Sequence, residues 1–105
     1  MRKCKGRHDS LVKIIADELK TKGWKVNTNV EYNNFVCGEV DVDAYKKGYY
    51  LDVEVKSRDC DKTRKKAREQ LLRAEKHYYP TNARVFKMYA YYTSNLKDYK
   101  LELIR

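Results

Sequence analysis

The 105-residue chain reads as an α/β domain whose elements run α-β-β-β-α-β, with an extra final strand. Three observations predict this. Leu11, Ile15 and Leu19 recur at helical spacing and are followed by Gly23, a helix stop. Residues 38–57 alternate valines with carboxylates at the period of a strand, interrupted once at Lys47-Gly48. Ala67, Leu71, Ala74 and Tyr78 form a second helical stripe ended by Pro80, after which Val, Phe and tyrosines give β composition.

Taken in order, residues 1–7 are a short basic lead, and Asp9 or Ser10 can cap a helix running to about Lys22. Trp24 to Tyr32 is a first strand, turned at Asn33-Asn34 into a hairpin. On that hairpin Val40, Val42 and Ala44 alternate with Glu39, Asp41 and Asp43, and Leu51, Val53 and Val55 alternate with Asp52, Glu54 and Lys56. A two-residue turn at Lys47-Gly48 sets Asp43 opposite Asp52, Asp41 opposite Glu54 and Glu39 opposite Lys56, whereas a three-residue loop shifts the register by one. Opposed like charges destabilise a ladder, so a face carrying five carboxylates and one lysine points to a job other than stability. The plainer reading is an amphipathic hairpin with a solvated acidic face. A second helix spans about Lys62 to Tyr78. The last two strands cover Ala83 to Thr93 and Tyr99 to Ile104, turning at Ser94-Asn95.

At this length one domain, residues 1–105, is expected. The net charge of +9 suits a polyanion, with nucleic acid the default, or else a solubilising lysine-rich surface. Cys4, Cys37 and Cys60 form no CxxC pair, so neither a zinc site nor a disulfide framework is indicated, and a reducing compartment is expected. No apolar run approaches a membrane span and no signal peptide is evident, which gives an intracellular, cytoplasmic expectation. The Lys- and Tyr-rich composition suits an archaeon or its virus.

Asp41, followed thirteen residues later by Glu54-Val55-Lys56, resembles the PD-(D/E)xK nuclease superfamily. The longer strings Gly38-Glu39-Val40-Asp41 and Val53-Glu54-Val55-Lys56-Ser57-Arg58 look like archaeal Holliday-junction resolvases and small bacterial endonuclease-like proteins of that superfamily. The proline that often precedes the Asp is replaced by Val40. The resemblance implies a restriction-endonuclease-like αβββαβ core, a mixed central sheet flanked by two helices, with the extra C-terminal strand outside it. It also implies a Mg²⁺-dependent endonuclease acting on DNA, with Mn²⁺ able to substitute, and Asp41, Glu54 and the Val55 carbonyl as metal ligands. Lys56 would orient and help deprotonate the attacking water. Gln70, at the border of the second helix's buried face, is a further candidate, against the alternative of an amide bonding the backbone. Glu39 and Asp43 are reserve ligands. Lys5-Gly6 fits the basic opening of the resolvases, but their helix-one acid falls near Val12, so Asp9 serves only if that helix is offset.

Nucleic-acid contacts are expected from Lys5, Arg7 and Arg58, and from Arg64, Lys65, Arg68 and Arg73 on the second helix. That helix carries seven basic residues against Glu69 and Glu75, a phosphate clamp or a solvated basic face. His77 suits a helix C-terminus, neither His8 nor His77 has a nucleophile or metal-ligand partner in evident range, and the ten tyrosines suit either base stacking or strand packing. A junction or branched substrate cut by a homodimer follows from the resemblance, because two strands need two sites. Three other readings stay open: a non-catalytic nucleic-acid-binding module of the same fold, a ribonuclease, and a structural or interaction protein.

Overall fold

The computed structural model describes residues 3–33, 37–93 and 98–104. In chain order it holds α1 (Lys3–Thr21), β1 (Lys25–Asn33), β2 (Cys37–Lys46), β3 (Tyr49–Lys56), α2 (Asp61–His77), β4 (Arg84–Tyr92) and β5 (Tyr99–Ile104). This is the expected element order. The strands form one sheet in sequence order, antiparallel throughout except for the parallel β3–β4 pair. That parallel step follows from α2, since parallel neighbours need a long crossover rather than a hairpin. The turn at Ser94-Asn95 and part of the Asn33-Asn34 turn lie outside the described residues.

The first helix starts earlier than expected. Lys3 to His8 contain no proline and no β-branched residue, so nothing stops the helix short of them, and Asp9 and Ser10 are exposed interior positions rather than caps. Lys5-Gly6 therefore belongs to the helix instead of preceding it. The extension adds His8 to the buried stripe, three, four and seven residues before Leu11, Val12 and Ile15. At the other end the Gly23 amide donates to the Lys20 carbonyl (3.0 Å) and the Trp24 amide to the Leu19 carbonyl (3.1 Å). Gly23 sits at φ 94°, which completes a Schellman stop.

The helices lie on opposite faces of the sheet. Leu11, Val12 and Ile15 of α1 bury against Val42, Leu51, Val53, Val55 and Ala90. On α2, Ala67 packs with Tyr89 and Tyr91, and Ala74 with Tyr32, Val40 and Tyr79. Two alanines in its buried stripe let α2 sit close to the strands. The tyrosine buried at its end is Tyr79 rather than Tyr78, which is only half-buried at the C-cap.

Two features shape the β1–β2–β3 region. Lys47 (φ 50°) and Gly48 (φ 87°) give the two-residue type I′ turn that matches strand twist. The resulting register sets Asp43 opposite Asp52 and Val42 opposite Val53, as the two-residue turn predicts. The ladder ends there, so the expected Asp41–Glu54 and Glu39–Lys56 pairs are not ladder partners. On the β1 side the same point is marked by Asn29 at φ 53°. Val26, Val42 and Ala44 belong to the α1-side core, whereas Val30 and Val40 pack on the α2 side. The two strands thus roll over together around Asn29 and Asp41. Beyond the roll Tyr32 lies across Gly38, where a Cβ would stand 2.3 Å from its ring, so only glycine fits.

Candidate functional site

The hairpin's acidic face is not solvated. Asp52 and Glu54 alternate with the α1-side residues Leu51, Val53 and Val55 and so point beneath α2. Asp41, Asp43, Asp52 and Glu54 are exposed by only 4, 8, 1 and 4 %. Burying four carboxylates costs several kcal/mol each unless they are paired, protonated or bound to a cation. Each of the four solves this differently.

Asp43 is paired. Its Oδ1 accepts a hydrogen bond from the Tyr79 hydroxyl (2.8 Å) and its Oδ2 one from Tyr78 (3.3 Å), so it braces α2 to the sheet and is not a spare ligand. Asp52 is pushed toward its neutral form. Both its oxygens lack a hydrogen-bond partner, and burial, reinforced by Asp43 and Asp41, pushes its carboxyl up to about 8.

Asp41 and Glu54 form the remaining pair. Where the ladder stops, the Asp41 carboxylate takes over the role of a backbone carbonyl: its Oδ2 accepts the Val55 amide proton at 2.9 Å. This links Asp41 to the middle residue of Glu54-Val55-Lys56. Burial first, and then the adjacent Asp41, raise the Glu54 carboxyl, while Lys56 acts in the opposite sense. The Lys56 ammonium lies 3.7 Å from Glu54 Oε2 and is one-fifth exposed. Two carboxylates and a lysine therefore converge at one end of β3, and the lysine reaches them from the solvent edge.

His8 completes the cluster. Its Nε2 is 3.3 Å from Asp41 Oδ2, and its Nδ1 is 3.3 Å from Asp9 Oδ1. The hydrogen bond to Asp41 is the main cause that holds the imidazole above its ordinary value, against burial. The sequence reading gave His8 no partner; carrying the Leu11–Ile15 stripe back one turn identifies it. Asp9, the acid considered for this place, is exposed and reaches only the far side of His8.

The other candidates divide. Gln70 sits on the sheet side of α2 with Oε1 buried and unpartnered, an acceptor in want of a donor. Glu39 is exposed and stands opposite Glu31 on β1, away from Lys56. Arg64 is committed: its guanidinium binds Glu102 (2.6 Å) and Asp59 (2.9 Å) and lies over Tyr89 and Tyr91. It ties α2 to β5 instead of waiting for phosphate. Lys65, Arg68 and Arg73 are exposed on the outer face of α2, and Arg7 and Arg58 are exposed near the carboxylate end of the sheet. The side chain of Lys5 lies outside the described residues.

The donor set fits a hard divalent cation. Mg²⁺ binds through few carboxylates and keeps its waters, and a buried like-charged pair whose member Glu54 is pushed toward protonation gains from such a cation. Among the described residues no group of three or more His, Cys, Asp and Glu side chains is arranged to hold a metal. An apolar recess of about 520 Å³ between Trp24, Leu51, Phe86 and Met88 lies at the start of β3, the far end from Glu54.

A comparison with models of known protein families finds no match, nor does one with proteins of curated function. Among solved structures, the crystal structure of a protein of unknown function, AF1548, is similar, with a TM-score of 0.56 and 23 % identity over 87 % of this chain. At that identity the likeness concerns the fold alone. The chain spans about half of that structure, covering 51 % of it.

Proposed function

We propose that the protein is a metal-dependent endonuclease of the PD-(D/E)xK type, with the restriction-endonuclease-like arrangement of that superfamily, hydrolysing phosphodiester bonds in DNA. The observation that carries this reading is the convergence of buried Asp41 and Glu54 with Lys56 where the β2–β3 ladder breaks. Four elements support the cluster: β2 supplies Asp41, β3 supplies Glu54 and Lys56, α1 supplies His8, and α2 covers it.

Asp41 and Glu54 are the residues that would hold Mg²⁺ or Mn²⁺, with the Val55 carbonyl as a further donor. When bound, the cation supplies charge neutralisation at the phosphate and a water of lowered pKa. The rest falls to the chain. Lys56, positively charged among carboxylates, orients the attacking water and offsets charge developing on the phosphate oxygens. The Val55 amide and His8 fix the orientation of Asp41, so no reorganisation is needed during reaction. Burial beneath α2 lowers the local dielectric and strengthens each of these interactions.

The test is cleavage of labelled linear duplex, single strand, flap, four-way junction and RNA with Mg²⁺, Mn²⁺ or EDTA, by wild type and Glu54→Ala. Metal-dependent cutting that disappears in the variant is expected, and the preferred substrate decides whether the junction-resolvase likeness extends to function. Tight binding without cutting under any metal would refute catalysis and leave a nucleic-acid-binding module.

A further inference from the structure

A groove of about 560 Å³ opens at the carboxyl ends of the parallel strands β3 and β4, the end of such sheets where ligands gather. Arg7 of α1, Arg58 of the β3–α2 connection and Lys100 of β5 reach it from three separate elements, and Tyr91 and Tyr92 line it. Arg7 directly precedes His8, which touches Asp41, and Arg58 follows Lys56 by two residues. The groove therefore begins beside the carboxylate pair.

Its charge is only partly offset, by Glu102 acting on Lys100 from beyond ion-pair distance. Among the described residues Arg7, Arg58 and Lys100 form no ion pair, and the one carboxylate in the lining, Asp59, is already taken by Arg64 (2.9 Å) and the Tyr89 hydroxyl (3.0 Å). Tyr91 is anchored, with its hydroxyl bonded to Glu102 and its ring under Arg64, and Tyr92 packs against the α1-side core. Both rings are taken up by the protein and form the groove's wall, so what the groove offers a nucleic-acid strand is cations for its phosphates. The volume falls within the range of about 300–1,000 Å³ typical of small-ligand pockets, the scale of one or two nucleotides and not of a duplex.

We propose that a single unpaired nucleic-acid strand leaves the cleavage site through this groove, with its phosphates held by Arg7, Arg58 and Lys100. The basic outer face of α2 is convex and contributes general attraction only. This rests on the nuclease reading for its position, but its test does not need cleavage.

In a Glu54→Ala background with EDTA, fluorescein-labelled single-stranded and duplex oligonucleotides are titrated by anisotropy across salt concentrations. Arg7→Gln/Arg58→Gln/Lys100→Gln is compared with Lys65→Gln/Arg68→Gln/Arg73→Gln, which removes the same charge from α2. Three lost phosphate contacts make the single-strand salt slope shallower by about 2, so the affinity lost relative to wild type is about a hundred-fold larger at 0.1 M than at 1 M salt. The groove triple is expected to show this, and the α2 triple less than a tenth of it. Equal losses in the two triples, or a larger loss for duplex than for single strand, would overturn the proposal. Circular dichroism checks folding, and Lys100→Glu, a single reversal on an exposed residue, repeats the test if the triple is unfolded. A protein that binds through the groove and never cuts defeats the nuclease reading alone. One that cuts normally while the groove triple binds like wild type defeats the groove alone.

Discussion

Asp52→Asn is expected to stabilise the protein at neutral pH. Asp52 is 1 % exposed, stands opposite Asp43 in the ladder and has no hydrogen-bond partner for either oxygen. Asp43 is held by two tyrosine hydroxyls, whereas Asp52 has no donor to favour its charged form. With its carboxyl pushed up from 3.8 to about 8, the folded state holds a proton that the unfolded chain releases above pH 4. Stability therefore falls as pH rises from about 4 to 8, by about 1.4 kcal/mol per unit, reaching about 4 kcal/mol at pH 7. Asparagine keeps the size and cannot ionise, so it avoids that cost. Its second N–H, buried without an assigned acceptor, returns about 1–3 kcal/mol. A net gain of about 2 kcal/mol at pH 7, crossing zero near pH 5 and becoming a loss of about 2 kcal/mol near pH 4, is expected from urea unfolding in EDTA across that range. Equal or lower stability at pH 7, or stability profiles that stay parallel with pH, would refute the assignment of a neutral Asp52.

Tyr79→Phe removes the 2.8 Å hydrogen bond to Asp43 and should cost about 1.5–3 kcal/mol in the same unfolding assay, because a buried carboxylate loses a donor. Gly38→Ala drives a Cβ into the Tyr32 ring and should cost about 1–3 kcal/mol; Tyr32→Ala in the same chain should cancel part of that loss, measured as a double-mutant cycle. Arg64→Met should lower the melting temperature by freeing β5 from α2 while leaving nucleic-acid affinity within about two-fold, the reverse of a phosphate-clamp residue. His8→Ala should reduce kcat about 10- to 100-fold and lower stability by about 1–3 kcal/mol, since buried Asp41 keeps the Val55 amide but loses its orienting imidazole.

The elements were legible because their signals are local. Period-two alternation, Lys47-Gly48, Gly23 and Pro80 set the hairpin, its register and both helix ends. That Asp41, Glu54 and Lys56 come together was expected from spacing and from resemblance. What the sequence reading lacked was tertiary. Alternating carboxylates look solvated until α2 is laid over them, and nothing local says that a helix with alanines at 67 and 74 will approach so closely. The broken ladder at Asp41 depends on a side chain replacing a backbone acceptor, which no period reveals. Arg64 resembled its basic neighbours because its partner Glu102 is 38 residues away. His8 was within reach of sequence reasoning, but an N-cap assigned to Asp9 hid it.

The parallel β3–β4 pair has a bearing on the order in which the molecule assembles. Asp41 and Glu54 belong to one hairpin, the kind of unit that forms in about 1–10 μs from contacts close in sequence. Joining β4 to β3 must wait until the chain has closed over the whole of α2, a non-local step that slows folding. The acidic pair is thus brought together before the helix that covers it and before the strands that carry Tyr91 and Lys100. In that interval two like charges face each other in water, where repulsion is weak, and their full electrostatic tension appears only on docking of α2. The divalent ion proposed above, met at that open stage, would find Asp41 and Glu54 already carried on one hairpin.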